Sequence, residues 1–245
     1  MNLKDTLVDS LKYTSSNWLK VILLGLVIFL ADKSNELSNL GGFADEIRYI
    51  IIIIGTILGI YQLGFIFRIL EETTKGSNKM PKFDKFLTTF IHGLKETIVT
   101  VIYFIIPFIV VLLGFAMLAY ITGPKTEEMD LAIIFSGLFL GSLTYLLYQA
   151  TVLNMADYHG TLRSAFDFNK IYKKFRAIGF KKLGFIYLLT VIFAAIVEVT
   201  LSDTKSILPY GLGDIISSFL IAPFILIFIA RTLGLINKSL EPKNN

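Results

Sequence analysis

The sequence predicts an all-α integral membrane protein with six transmembrane helices, three amphipathic interfacial helices on the cytoplasmic face, and three parallel repeats of interfacial helix, span and span. Three observations carry this. Hydrophobic residues make up 54% of the chain and the mean hydropathy is +0.69, above a soluble average of roughly 45–50% apolar that already counts glycine. The apolar residues gather into six runs, and the 23 Lys/Arg flank these runs rather than interrupt them. A net charge of +4 spread in this way suits lipid headgroups better than nucleic acid. With no cysteine and two histidines, neither a thiolate nor a His-based metal site is expected, and no cofactor.

Residues 1–15 place Leu3, Leu7, Val8 and Leu11 on one face and Lys4, Asp5, Asp9 and Lys12 on the other, a first surface helix. Ser15-Ser16-Asn17 can cap the next helix, and Trp18 is the amphipathic ring expected at headgroup level. The apolar run 19–31 is short, because a span needs about 20 residues. It must borrow from 14–18 or sit in a thinned bilayer. A cleaved signal peptide is the competing reading, but no Ala-x-Ala-like site follows and further spans do.

A polar loop with Gly41-Gly42 covers 32–46, and span two covers 49–70, closing at Arg68. After a polar return through 71–79, residues 81–95 put Phe83, Phe86, Leu87, Phe90, Ile91 and Leu94 at helical spacing against Lys82, Asp84, Lys85, His92 and Lys95, a second surface helix. Span three, 97–121, holds Pro107, which removes a helix hydrogen bond and kinks it, and Gly123-Pro124 ends it. Span four, 131–155, carries Gly137, Gly141 and Ser142, a small-residue surface for close approach by another helix. The third surface stretch, 160–182, sets Phe168, Ile171, Tyr172, Phe175 and Ile178 against Lys170, Lys173, Lys174, Arg176 and Lys181. Span five covers 183–201; after a loop with Pro209 and Gly211, span six covers 212–236 and is interrupted by Pro223.

The units fall at about 1–76, 77–159 and 160–245 in a single membrane domain. His92-Gly93-Leu94-Lys95 matches Ile178-Gly179-Phe180-Lys181, and Tyr61-Gln62 matches Tyr148-Gln149. Two spans per unit keep all copies facing one way, unlike inverted repeats. Of the 23 Lys/Arg, only Lys33, Arg48, Lys125 and Lys205 fall on the side opposite the termini. The positive-inside rule therefore predicts a multi-pass protein of the cell membrane with both termini cytoplasmic.

The segment Gly59-Ile-Tyr-Gln-Leu-Gly-Phe-Ile-Phe-Arg68 through Gly76, with Met80-Pro-Lys-Phe-Asp84, His92-Gly93-Leu-Lys95 and Tyr103-Phe-Ile-Ile-Pro107, resembles a family of small multi-span membrane proteins frequent in archaea, domain of unknown function 4013. Ala165-Phe-Asp-Phe168 through Ile178-Gly-Phe-Lys181 extends the likeness over most of the chain from span two onward. Lys85-Phe86 departs from the tryptophan expected after Asp84 and keeps an aromatic there. The resemblance implies a helical membrane protein of archaeal source, and it brings no activity, cofactor or catalytic residue.

Gln62 and Gln149 lie deep enough in their spans to need partners and are placed to meet at a repeat interface. They form either a polar solute site or an interhelical hydrogen bond, typically about 0.6 kcal/mol in membranes, with the bond favoured. Glu198, near the outer end of span five, either accepts a proton or reaches headgroup water. Arg68 and Arg231 end spans two and six, where anchoring by snorkelling is expected. With Lys82, Lys85, Lys95, Lys173, Lys174, Arg176 and Lys181 they are the candidate contacts to anionic headgroups, at about 1 kcal/mol per cation. Asp157-Tyr158-His159 and His92 are the nearest to acid/base equipment, but no HExxH, GxSxG or phosphate loop accompanies them. The expected function is that of a non-enzymatic membrane scaffold or lipid-interacting component, with a small-solute or ion transporter as the alternative.

Overall fold

Leu3–Ser15 forms α1, Trp18–Asp32 α2 and Ser34–Asn39 α3, and a long α4 runs over Asp45–Thr74. Phe86–Thr100 (α5), a π-helical turn Val101–Ile105 and Ile106–Thr122 (α6) form one continuous rod, followed by α7, Glu127–Asp157. A 3-10 turn Leu162–Phe166 leads to α8, Phe168–Ile178, and α9, Phe180–Leu201. The last rod joins α10, Leu212–Ile216, through a π turn, Ser217–Ile221, to α11, Ala222–Lys238. This computed structural model describes residues 2–39, 44–122, 127–201 and 212–240. The turns expected at Gly41-Gly42, Gly123-Pro124 and Pro209 to Gly211 lie outside them, as do Lys125, Lys205, Lys243 and the side chain of Glu198.

Among the described residues five helices are long and apolar enough to cross a membrane, or six if α1 and α2, bent by 80°, count as one. The bend separates the first surface helix from the first span, and Asn17 Oδ1 caps α2 by accepting from Lys20 N at 3.4 Å. α2 has 15 residues, about 22 Å at the helical rise, short of an apolar core of about 30 Å. The buried face of α1 is Thr6, Ser10, Tyr13 and Thr14, whereas Val8 and Leu11 point outward. Small hydroxyls let α1 lie close to α11, where Thr232 Oγ1 donates to Ser10 Oγ at 2.9 Å.

Three expectations are corrected. Residues 81–95 do not form a separate surface helix: Phe86 begins a helix that continues without a break to the end of span three, 36 residues up to Ile121. Nothing between Lys95 and Thr97 stops the helix, and Gly93 inside it meets α4 instead of ending a turn. Of the small residues of span four, Ser142 meets another helix, its hydroxyl 2.7 Å from Tyr187 OH of α9, but Gly137 and Gly141 make no close approach, since a methyl on either would have no neighbour within 4 Å among the described residues. Close approach occurs at Gly25, where a methyl would stand 2.0 Å from Phe219 O, and at Gly64, Gly93 and Gly234. The loop expected over 32–46 contains α3, and α4 starts earlier than span two, at Asp45.

Pro107 and Pro223 each follow a π turn by two residues. A widened turn absorbs the missing donor and the clash with the carbonyl four residues back. The core lies at one end of the bundle, around Tyr13, Leu24, Phe65, Phe67, Leu153 and Ile227. Phe108 and Leu113 of α6, and Phe135 and Phe139 of α7, are exposed toward where lipid would lie.

Candidate functional site

The C-terminal ends of α4, α7 and α11 and the N-terminal ends of α5 and α9 gather beside α1 and α8, and most of the basic side chains are found there. This basic end holds the loop between α4 and α5 by its backbone. Arg231 of α11, 2% exposed, donates from NH1 to Ser77 O at 2.6 Å, from NH2 to Asn78 Oδ1 at 2.9 Å and from Nε to Asp9 Oδ1 at 2.9 Å. Its guanidinium carbon lies 4.4 Å from the centre of the Tyr13 ring. Burial raises the Tyr13 phenol above its usual range, against the opposing pull of Arg231. Lys20 Nζ donates to Met80 O at 2.5 Å, and Arg68 NH1 donates to Lys82 O at 3.2 Å and Thr89 Oγ1 at 2.8 Å. Three cations from three helices thus fix one loop, mainly through carbonyls.

The helix ends meet beside it. Asn237 Nδ2 donates to Asp157 Oδ1 at 2.6 Å and to Thr74 Oγ1 at 3.4 Å, so α4, α7 and α11 end on one another. Lys174 of α8 bonds the Asp157 carboxylate and Asn237 Oδ1, tying the amphipathic helix to this junction. Lys95 Nζ donates to Gly160 O at 3.0 Å, and Glu71 pairs with Lys75 at 2.6 Å and faces His159 at 3.6 Å.

Asp167 caps α8 by accepting from Lys170 N at 3.2 Å, and that backbone bond lowers its carboxyl below the ordinary range. Tyr158 first, then Asp167, raise the Lys170 ammonium. Gly179, with φ +88°, ends the helix. A cavity of about 390 Å³ opens between the ends of α7, α8 and α11, lined by Asn154, Lys170, Lys173 and Lys174 among others. A larger one of about 760 Å³ lies over the 3-10 turn, beside Arg163 and Asn169.

The residues singled out from sequence divide into two groups. Lys82, Lys85, Lys173, Arg176 and Lys181 are exposed, while Arg68, Lys95, Lys174 and Arg231 are committed to the internal bonds above. Arg68 and Arg231 therefore reach protein groups instead of snorkelling, because the α4–α5 loop folds back over both. Gln62 is half-buried; Gln149 is 2% exposed and neither of its polar side-chain atoms has a partner among the described residues, so the two are not hydrogen-bonded to each other. His92 stacks on Phe67 with centroids 5.3 Å apart, and its Nδ1 is unpaired. Sequence reasoning missed Glu96, which is buried between α5 and α7 with Tyr148 OH 3.2 Å from its Oε1 and nothing bonded to Oε2. A continuous helix through 95–97 was the signal that would have found it. Among the described residues no group of three His, Asp or Glu side chains is placed to hold a metal ion.

A helical bundle with five or six apolar helices and its polar bonding gathered at one end defines the class: a polytopic, membrane-embedded protein. Neither a curated protein nor a solved structure matches the chain. The chain belongs to the family described as "Protein of unknown function (DUF4013)", which matches residues 47–237.

Proposed function

We propose that the protein is a non-enzymatic membrane component that binds anionic lipid headgroups at its basic end. The observation that carries this reading is the mixed outer face of α8 and the start of α9. Phe168, Tyr172 and Phe180 are 67%, 56% and 62% exposed among the exposed cations Lys170, Lys173, Arg176 and Lys181. Aromatic rings and cations left open side by side on an amphipathic helix suit the boundary between headgroups and acyl chains. The cavity of about 390 Å³ beside α8, lined by Lys170 and Lys173 as well as by the Lys174–Asp157 pair, offers room for a phosphate-bearing headgroup. The positive-inside rule puts this end, and both termini, on the cytoplasmic side of the cell membrane. The junction of helix ends supports three parallel units of two spans each: Asn237 follows its partner Asp157 by 80 residues and its partner Thr74 by 163.

Native mass spectrometry of protein extracted from bilayers tests the reading. Retained anionic lipid is expected, and Lys173→Glu with Arg176→Glu and Lys181→Glu should strip it, each cation contributing about 1 kcal/mol. Retention of a defined non-lipid solute would overturn it. The second reading, a transporter for a small solute or ion, draws on the unpartnered amide of Gln149. Solute flux in proteoliposomes that Gln149→Leu abolishes would favour it.

A further inference from the structure

Glu96 is 6% exposed and, among the described residues, makes its one side-chain hydrogen bond with Tyr148 of α7. Tyr148 OH is 3.2 Å from Glu96 Oε1 and 2.9 Å from Thr100 Oγ1, and Thr100 Oγ1 donates to the Glu96 backbone carbonyl at 2.9 Å. These distances decide how many hydrogens the cluster holds. With an ionised carboxylate, Tyr148 gives its only hydrogen to Oε1 and Thr100 has one hydrogen for two contacts, the Glu96 carbonyl and the Tyr148 oxygen. One of those two contacts is then left with no hydrogen, and the buried Oε2 shares a negative charge with no donor beside it among the described residues.

A single added proton completes the cluster. Glu96 then donates from Oε1 to the Tyr148 oxygen, Tyr148 to Thr100 Oγ1, and Thr100 to the Glu96 carbonyl. Each hydroxyl gives one hydrogen, and no charge is buried. Oε2 becomes the carbonyl oxygen of a neutral acid, for which a missing partner costs far less than for a charged oxygen.

The neighbouring cations do not substitute for this proton. On α5 itself Lys95 is turned to Gly160 O, and His92 stacks on Phe67. From α4, Arg68 is bonded to Lys82 O and Thr89, while Glu71 pairs with Lys75. Tyr103 of the π turn donates to Ala165 O, and Arg163 of the 3-10 turn lines the surface cavity. Tyr148 is the titratable group in contact with the Glu96 carboxyl among the described residues.

We propose that Glu96 is a proton-binding site at the basic end of the third span, occupied at neutral pH and bonded through the hydroxyls of Tyr148 and Thr100. The test uses the full chain in lipid nanodiscs. Infrared spectroscopy at neutral pH is expected to show a carboxylic-acid carbonyl band that moves in heavy water and is lost in Glu96→Gln. The apolar carbodiimide N,N′-dicyclohexylcarbodiimide, which adds to protonated acids in apolar surroundings, is expected to leave one adduct on the peptide carrying Glu96. Should Glu96→Gln fail to fold, that peptide in the unmodified chain still decides the matter. Absence of the acid band, its survival in Glu96→Gln, or a Glu96 that stays unlabelled each overturns the proposal.

Discussion

Gly64 of α4 and Gly93 of α5 bring two helix backbones into direct contact. A methyl on Gly64 would stand 1.8 Å from Thr89 O, and one on Gly93 would stand 1.8 Å from Ile60 O. Both obstacles are main chain and cannot rotate away, so α4 and α5 would have to separate. Gly64→Ala or Gly93→Ala is expected to cost at least about 1–3 kcal/mol, whereas Gly137→Ala should stay within about 0.5 kcal/mol. Thermal unfolding in detergent, followed by size-exclusion chromatography, checks this; equal melting of all three variants would remove the helix contact from the account.

Arg231→Met should be the most damaging single change at the basic end. It removes the charged hydrogen bonds to Ser77 O, Asn78 and Asp9, whose partners stay within reach of water, and a loss of about 1.5–3 kcal/mol is expected. Arg231→Lys keeps the charge but cannot reach all three groups, so it should recover only part of the loss. Arg176→Met, exposed and lying over Tyr172, should change stability by no more than about 0.5 kcal/mol. A melting point for Arg231→Met equal to that of Arg176→Met would contradict this.

Gly160 has φ +66°, and a methyl there would stand 2.4 Å from His92 Nδ1. Gly160→Ala therefore combines backbone strain of about 1–2 kcal/mol with a clash. Adding His92→Ala should relieve the clash and leave the strain. A double-mutant cycle measures the difference, and additive effects would show that the ring gives way on its own.

The cap and ion pair at the start of α8 fix its response to pH. The Asp167 carboxyl lies below its ordinary 3.8 when folded, so its contribution is present above that value and is lost as pH falls through the lower, folded one. The Lys170 ammonium lies above its ordinary 10.5, so its contribution is present below that value and is lost as pH rises through the higher, folded one. Amide exchange over Phe168–Ile178, corrected for intrinsic rates, should show constant protection from mild acid to mild alkali. A protection step near neutrality would mean that another group controls the helix.

The apolar spans were legible because long apolar runs carry them directly. Asn17 reads as a cap and is one, whereas Pro107 and Pro223, read as a kink and an interruption, each lie just after a π turn in a helix that runs on. Partners were not legible. Gly137 and Gly141 have the spacing of a contact face, yet a methyl on either would meet nothing within 4 Å among the described residues, while Gly64 and Gly93 bring two backbones together; periodicity records which residues share a face and nothing of what lies opposite. Arg68 and Arg231 read as anchors because carbonyls offered by a folded loop leave no mark in sequence. Glu96 falls between the surface pattern that ends at Lys95 and the apolar run that begins at Thr97, so neither pattern takes it in.

The grip on the α4–α5 loop also sets an order of assembly. Arg231 follows Ser77, whose carbonyl it holds, by 154 residues. Insertion from the N-terminus thus places the loop and Asp9 long before their cation arrives, and until then both face water. A chain stopped at residue 221 is expected to be cut by protease between 77 and 84 while the full chain resists, so the last helix serves as the latch that reports a completed molecule.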